Sequence, residues 1–249
     1  MTEHRASFFV FDERPSDSPC VERIWSAYNE RADEFLSVAA ASCELVVSRY
    51  RDETFLTVRG PETRMTAMDC PPEGEWFGIR FKVGTFLPGF PPASLRDHHN
   101  VTLPDASRRA FWLDGSAWEY PTFENADTFV ARLLKKGLIV RDRIVESALR
   151  GELDDVSLRS AQRHFRRATG MTYAAIRQIE RARYATTLLR DGVSIADVVH
   201  RAGYFDQPHL TRSLKHLIGQ TPREIARMTR QLSLLYKTAP PDRQHNARI

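Results

Sequence analysis

The sequence of 249 residues has few cysteines and no long hydrophobic run, and both absences exclude classes of protein. Its three cysteines, Cys20, Cys43 and Cys70, are far apart and form no C-x-x-C pair, which excludes a disulfide framework and a zinc finger. The longest stretch without Asp, Glu, Lys or Arg, residues 83–95, contains three prolines and is too short to span a membrane. The first residues show no signal-peptide pattern, so we expect a cytoplasmic protein with no membrane partner.

Charge is distributed unevenly along the chain. Residues 1–124 contain 13 Lys and Arg against 20 Asp and Glu, a net charge of −7. Residues 125–249 contain 23 against 12, a net charge of +11. An acidic half joined to a basic half predicts two domains with different partners, and the basic half is a candidate for binding nucleic acid.

The acidic half has the pattern of short strands separated by turns. Residues 42–59 predict a hairpin and residues 76–83 a half-buried strand, since both are rich in β-branched and aromatic residues. Residues 20–28 predict one short helix. Most of the 14 prolines lie in this half and mark its turns. We therefore expect residues 1–121 to form a β-rich sensor or dimerisation domain, barrel-like (cupin-like) or a small sandwich.

The basic half has a helical period instead. Apolar residues recur three or four positions apart, and glycines stand where the predicted helices end. We expect an all-α bundle of about seven helices over residues 125–230, so the fold class is α+β with two domains. The last five predicted helices are residues 157–168, 173–190, 194–201, 207–217 and 222–230. Residues 231–249 carry no apolar pattern, and we expect a disordered tail.

The basic half also contains an internal repeat of 49 residues. Shifted by this length, Arg163 falls on Arg212 and Gly170 on Gly219. Each copy predicts a helix with an apolar buried face and exposed cations, preceded by another short helix, which is helix-turn-helix spacing. The helix predicted over residues 173–190 is about 27 Å long at about 1.5 Å per residue. It could hold the two units in successive major-groove segments, which lie about 34 Å apart.

Residues 193–227 resemble the second helix-turn-helix of AraC-type transcription regulators. The residues that carry this resemblance are Ile195, Ala196, Val198, Ala202, Gly203, Tyr204, Asp206, Gln207, His209, Leu210, Arg212, Leu214, Lys215, Gly219, Thr221 and Pro222. The first unit resembles the family at Ser157, Gln162, Arg163, Phe165, Arg166, Thr169 and Gly170. It departs from the family at residues 151–156, which are longer than the usual glycine turn. The β-rich half resembles only loosely the variable sensor domains of this family.

The resemblance implies which residues contact DNA. The implied base contacts are Arg159, Gln162 and Arg163 in the first unit and Gln207, His209, Thr211 and Arg212 in the second. The implied phosphate contacts are Arg166, Arg167, Lys215 and His216. The chemistry agrees, because Arg can donate two hydrogen bonds to guanine and Gln can pair in the same way with adenine. The alternative is that Arg163 and Arg212 bridge helices and touch no base.

The partners follow from the same resemblance. We expect double-stranded DNA as the partner, with no cofactor and no metal. His98 and His99 are adjacent, so on a strand they would point to opposite faces and would not converge on a metal ion. RNA polymerase, a small-molecule effector and a second copy of the chain are further candidate partners.

An effector site is only weakly indicated. Its candidate residues are Trp76, Arg80, Phe81 and Trp112. The alternatives are that the aromatic residues form the core of the domain and that Arg80 pairs with a carboxylate.

Two other functions compete with a transcription regulator. A non-specific architectural protein would bind DNA with an affinity that depends on salt and not on sequence. An enzyme linked to a DNA-binding domain would need a nucleophilic cysteine or a cluster of metal ligands, and Cys70 is followed by two prolines with no histidine nearby. The cysteines could instead sense oxidation, which requires cations around the thiol. Whether transcription rises or falls is left open.

Overall fold

The computed structural model describes residues 9–97, 99–152 and 156–227. The strands are β1 (Phe9–Arg14), β2 (Val21–Asn29), β3 (Asp33–Ser37), β4 (Glu44–Tyr50), β5 (Glu53–Arg59), β6 (Thr66–Cys70), β7 (Gly74–Phe81), β8 (Thr85–Phe86), β9 (Val101–Thr102), β10 (Asp105–Ser107), β11 (Ala110–Leu113), β12 (Ser116–Glu119) and β13 (Val140–Arg141). The helices are α1 (Pro92–Leu95), α2 (Ala126–Lys135), α3 (Arg143–Leu149), α4 (Leu158–Thr169), α5 (Tyr173–Arg190), α6 (Ile195–Arg201), α7 (Gln207–Leu217) and α8 (Pro222–Ala226). Among these residues no helix combines the length and the hydropathy needed to cross a bilayer.

The largest sheet has six antiparallel strands in the order β1-β2-β7-β4-β5-β9. The predicted hairpin is confirmed, because β4 pairs with β5 from Glu44 opposite Arg59 to Tyr50 opposite Glu53. The β-rich character of the first half is therefore confirmed. The predicted barrel is not confirmed, because β1 and β9 are the two edges of the sheet and do not pair with each other.

The short helix predicted over residues 20–28 is wrong. This segment forms β2, which pairs with β1 on one side and with β7 on the other. The apolar residues Val21 and Ile24, three positions apart, suggested a helix, but a register shift between Val21 and Arg23 allows both to be buried from a strand. Pairing on both edges outweighs the local propensity of the segment.

The two faces of the six-stranded sheet have different chemistry. One face is apolar and fully buried, with Leu45, Ile79 and Val58 among its residues. The other face carries aromatic and charged side chains, among them Trp76 and Arg80, and it borders a cavity together with the paired strands β3 and β6. A strand places successive side chains on opposite faces, so β7 contributes to both.

The helical half agrees closely with the sequence pattern. Seven helices, α2 to α8, follow residue 124 in the described part of the chain. α5 and α7 have the predicted bounds. α4 is shifted by one residue at both ends, α6 begins one residue later than predicted, and α8 ends earlier, at Ala226. The predicted tail, residues 231–249, lies outside the described residues.

The helical half rests on the β-rich half at the carboxyl ends of α4 and α7. α4 packs against α1 and β8. At the end of α7, the carbonyls of His216 and Leu217 accept hydrogen bonds from the backbone N–H groups of Met65, at 3.1 Å, and Ala39, at 2.8 Å. These carbonyls have no partner within the helix, and the β-rich half supplies one.

Two glycines allow this close packing. Gly170 and Gly219 end α4 and α7 with φ values of +65° and +86°. A Cβ atom on Gly170 would lie 2.9 Å from the backbone N and Cα of Ala93, and one on Gly219 would lie 2.5 Å from Cε of Met65. The same position of the repeat is therefore an interdomain contact in both copies.

Helix α2 packs with strands of the first half. The ring of Phe129 makes edge contacts with Trp118 and Phe111, at centroid distances of 5.8 and 6.3 Å. Asp127 accepts hydrogen bonds from Arg14, at 2.6 Å, and from Ser16. Buried side chains from both halves form one continuous apolar cluster. The change from strands to helices near residue 124 is thus not a break in packing.

Replacing Gly170 should cost more than replacing a glycine that has space around it. Gly203 is the matched control, because its φ is +68° and nothing lies within 4 Å of an added Cβ. We expect Gly203→Ala to lower the free energy of unfolding by about 1–2 kcal/mol from the left-handed backbone alone. Gly170→Ala should lower the free energy of unfolding by a further amount of about 1–3 kcal/mol, because the methyl group overlaps the backbone of α1.

Urea unfolding followed by tryptophan fluorescence measures both changes. Equal losses in the two variants would show that the end of α4 is not held against residues 92–93.

Candidate nucleic-acid interface

Two helix pairs in the C-terminal half have the same construction. α3 with α4, and α6 with α7, are each a short helix followed by a longer one. Ser157 caps α4 by accepting a hydrogen bond from the N–H of Ser160, and Asp206, 49 residues later, caps α7 by accepting one from the N–H of His209. The side chains of such capping residues satisfy amide groups that have no partner inside the helix.

The repeat continues through the buried and exposed faces. Phe165 and its counterpart Leu214 are both completely buried, whereas Arg163 and its counterpart Arg212 are both exposed. After the second glycine turn Thr221 caps α8, in a capping box with Glu224. α4 and α7 are therefore equivalent, and we refer to them below as the recognition helices.

The two units differ in the turn between their helices. Eight residues separate α3 from α4, and five separate α6 from α7. This agrees with the longer segment expected at residues 151–156, of which residues 153–155 lie outside the described part.

Asp142 fastens the two helices of the first unit together. It is 2% exposed as a side chain and caps α3, with Oδ1 accepting from the N–H groups of Ile144 and Val145. Its Oδ2 lies 2.7 Å from Nδ1 of His164 and 2.8 Å from a guanidinium nitrogen of Arg167, both on α4. Burial alone would raise the pKa of Asp142, but the hydrogen bonds from His164 and Arg167 hold it below its ordinary value.

The turn of the second unit is packed by Tyr204. This ring is 5% exposed, lies edge-on to His209 at 5.2 Å, and has the guanidinium of Arg181 over it at 4.6 Å. Its hydroxyl lies 3.1 Å from the hydroxyl of Ser213 on α7. Burial raises the pKa of Tyr204. The start of α7 is thereby fixed relative to α5 and to its own turn.

Five of the implied base-contact residues are exposed and have no side-chain partner among the residues described. These are Arg159, Gln162, Arg163, Gln207 and Arg212. Within the described residues neither Arg163 nor Arg212 forms an ion pair, so the structure gives no support to the alternative that they bridge helices. The other two residues are half-buried and engaged within the domain. The hydroxyl of Thr211 donates to the carbonyl of Gln207 at 2.9 Å, and Nδ1 of His209 lies 3.4 Å from the N–H of Phe205.

The implied phosphate contacts are divided in the same way. The side chain of Arg166 is exposed and forms no ion pair within the described residues. Arg167 instead forms an ion pair with Asp142, and Nζ of Lys215 lies 3.5 Å from a carboxylate oxygen of Glu224. His216 is exposed, but its carbonyl belongs to the contact with Met65.

Phe205 is an exposed residue that the sequence interpretation missed. It lies in the turn before α7 and is 91% exposed, the highest value among the large apolar side chains whose burial the structure describes. The sequence does contain a signal, because Tyr204 and Phe205 are adjacent and a tight turn can bury only one of two neighbouring rings. Phe205 directly precedes Asp206 and Gln207, which cap and begin α7.

The structure separates the four candidate effector residues. Trp76 and Arg80 border the cavity above the six-stranded sheet. Phe81 is completely buried on the opposite, apolar face of the same strand, because its position alternates with that of Arg80. Trp112 is 47% exposed on the β11–β12 hairpin and does not border the cavity.

All three cysteines are buried. Burial raises the pKa of the Cys43 thiol to about 12 and also raises that of Cys20. The reactive form of cysteine is the thiolate, so these two thiols lack the environment that oxidation sensing requires. No group of three or more His, Cys, Asp or Glu side chains in the described ranges is arranged to hold a metal ion.

Asp142→Asn should weaken the first unit in a pH-dependent way. The amide keeps the helix cap but places an N–H donor against His164 or Arg167, so we expect the free energy of unfolding to fall by about 1–3 kcal/mol at pH 7. A carboxyl with a lowered pKa stabilises the fold above its unfolded pKa of about 3.9 and loses this contribution as pH falls through the folded value. The loss of stability in Asp142→Asn, relative to the unmodified chain, should therefore persist at pH 5 and shrink below about pH 4.

Glu152→Gln is the control, because Glu152 forms only an exposed ion pair with Arg150. A deficit for Asp142→Asn that disappears already between pH 7 and pH 5, in urea unfolding experiments, would assign the effect to another group.

Comparison with known proteins agrees with this geometry. Residues 155–228 match a family model described as a helix-turn-helix domain, and this range contains α4 to α8, both recognition helices included. The comparison with curated proteins gives no match, and the comparison with solved structures gives none either. The match confirms the resemblance seen in the sequence: the chain carries a DNA-binding helix-turn-helix domain of the AraC type over residues 155–228.

Proposed function

We propose that the chain is a sequence-specific transcription regulator that reads two successive major-groove segments, one with each recognition helix. The observation that supports this most directly is the equivalence of Arg163 and Arg212 in the two copies of the repeat. They occupy the same position of the repeat, both are exposed, and both lie on helices that are capped and packed alike. Such arginines are the commonest side chains to read guanine.

Helix α5 provides the spacing that this reading needs. It has 18 residues, or about 27 Å at about 1.5 Å per residue, and it joins the two units. Its buried residues include Ile176, Ile179 and Leu189, so it is a packed part of the domain. Successive major-groove segments on one face of DNA lie about 34 Å apart, which two helices at the ends of this rod can span.

The exposed glutamines favour this function over an architectural role. Gln162 and Gln207 lie near the starts of the recognition helices with free amide groups. A glutamine adds nothing to the phosphate attraction that drives non-specific binding, but it can pair with adenine in both hydrogen-bonding positions.

The β-rich half would control the DNA-binding half, through a small effector or through dimerisation. Both recognition helices end on it, α4 at residues 92–93 and α7 at Ala39 and Met65. A change in the β-rich half therefore has a direct route to the relative position of the two helices. RNA polymerase is the further partner that a regulator of this type would need to influence transcription.

Selection from a random DNA library at physiological salt tests the proposal with the full chain. We expect an asymmetric motif with two blocks about one helical turn apart. A single block would limit base reading to one unit. Binding without enrichment would favour the architectural function, and no binding would contradict the proposal.

Arg212→Ala should relax base preference at one position of one block. The loss of a two-bonded guanine contact is worth about 1–3 kcal/mol of discrimination. Arg163→Ala should do the same in the other block. Arg108→Ala, which removes one positive charge from an exposed turn of the β-rich half, is the control and should leave the motif unchanged.

The selected motif and the salt dependence of binding decide the role of Arg212. A uniform loss of affinity for all sequences, with a salt slope smaller by about 1, would make Arg212 a phosphate contact.

Phe205 should contribute an apolar contact to a thymine methyl group in the block read by α7. Burying a group of that size is worth about 0.8 kcal/mol, so Phe205→Ala should reduce the preference for thymine at one position roughly fourfold. Phe205→Leu, which keeps an apolar side chain, should retain most of it. Stability should stay within about 0.5 kcal/mol in both variants, because the ring is exposed. An unchanged motif for Phe205→Ala would remove the residue from the interface.

A further inference from the structure

The β-rich half contains a cavity of about 360 Å³. Its floor is the polar face of the six-stranded sheet, with residues from β2, β4, β5 and β7. The opposite wall comes from β3, β6 and the residues that follow them, among them Val38, Met68 and Pro71. This volume lies at the lower end of the range for small-molecule sites, so the cavity suits a mono- or bicyclic molecule.

Aromatic rings form much of the wall. Trp25 and Trp76 lie on neighbouring strands, and Phe11 stacks on Trp25 with centroids 5.9 Å apart and an interplanar angle of 15°. Phe55 stands on β5, one strand beyond β4. The indole of Trp25 lies over Gly78, where an added Cβ would come within 2.2 Å of the ring. Flat faces of this kind favour aromatic ligands, which stack on them.

The polar end of the cavity holds two buried ion pairs. Glu44 Oε1 accepts hydrogen bonds from Nε1 of Trp25, at 2.5 Å, and from Nε of Arg80, at 3.3 Å. Glu62 Oε1 accepts from Arg59 at 2.8 Å. Arg59 also reaches to within 3.9 Å of Glu44, so the four charges form one connected group.

This group carries no net charge. Burial would raise the pKa of Glu44, but the guanidinium groups of Arg80 and Arg59 and the bond from Trp25 hold it below its ordinary value. Burial likewise opposes the charge of Arg80, and Glu44 restores it, leaving its pKa raised. A charged ligand would place an unbalanced charge in this buried site, which is strongly unfavourable.

The hydroxyl group of Ser42 is a buried polar group beside the cavity that lacks a hydrogen bond in the described structure. Ser42 is 5% exposed and borders the cavity, and its Oγ has no hydrogen-bond partner among the residues that the structure describes. Buried hydroxyl groups are normally bonded, so a ligand with a hydroxyl or amide group would complete this one.

We propose that the cavity binds an uncharged mono- or bicyclic aromatic molecule that carries a hydrogen-bonding group. The ring packs against the aromatic wall to which Trp25, Trp76 and Phe55 contribute, and the polar group faces Ser42 and the balanced charges of the floor. The site rests on the proposed function in one respect only: its ligand is the effector through which the β-rich half acts.

Three probes that share a naphthalene ring test the charge requirement. Isothermal titration of the full chain at pH 7 compares 2-naphthol, which is neutral, with the anion 2-naphthoate and the cation 2-naphthylmethylammonium. We expect 2-naphthol to bind at least tenfold more tightly than either ion. Stronger binding of the anion or the cation, or no binding of any probe, would overturn the proposal.

Two tryptophan variants locate the bound probe. Trp76→Ala removes a ring from the cavity wall, and Trp112→Ala removes one from the exposed β11–β12 hairpin. We expect the first to weaken 2-naphthol binding at least tenfold and the second by less than twofold. Phe55→Ala repeats the test on another strand if Trp76→Ala does not fold. Equal effects of Trp76→Ala and Trp112→Ala would place the probe elsewhere and contradict the site.

DNA binding of the same preparations separates this proposal from the proposed function. Naphthol binding that fails while the DNA motif is still selected overturns the cavity proposal alone. A lost DNA motif with intact naphthol binding overturns the regulator and leaves a ligand-binding protein.

Discussion

The two recognition helices are held at their carboxyl ends, and the rest of the structure depends on that constraint. The last carbonyls of α7 accept hydrogen bonds from Ala39 and Met65, and the glycine that ends α4 lies against Ala93. Their amino ends, with Gln207 and Arg159, are exposed. A helix whose carboxyl end is buried and whose first turns are exposed can contact base edges with its amino-terminal residues, as the recognition helix of a helix-turn-helix does in the major groove. The β-rich half is therefore part of what sets the distance between the two recognition helices.

Buried charge connects the cavity with the helix that joins the two units. Arg183 on α5 is 3% exposed, and its guanidinium lies 3.9 Å from Glu22 of β2 and 3.7 Å from Glu180. Burial lowers the pKa of Arg183 and raises that of Glu180. The charge of Glu22 also acts on Arg80, whose guanidinium forms the cavity floor with Glu44. Low-dielectric surroundings strengthen such interactions, so Glu22 favours the charged forms of both Arg183 and Arg80.

The helical half could be predicted in detail because its signals are local. Period, capping residues and terminal glycines lie within a few positions of each other, and Ser157, Asp206, Gly170 and Gly219 all do in the structure what such residues do in isolated helices. The β-rich half could be predicted only as strands. Strand order, the open sheet and the role of β2 depend on partners as distant as Phe81, which pairs with Val21. The candidate DNA contacts followed from the family resemblance, but Phe205 and the engagement of His209 by its own turn did not.

The sequence by itself determined the number of units, their repeat and the residues on their exposed faces, because helical periodicity already separates a buried face from an exposed one. Only the tertiary structure decided which of the exposed residues are free. Arg167 and Lys215 have the same local pattern as Arg166, yet Asp142 and Glu224 hold them. It also decided that Trp76 and Arg80 share a cavity from which Phe81 and Trp112 are excluded. The reason is the same in both cases: a partner brought from far along the chain leaves no trace in the local sequence.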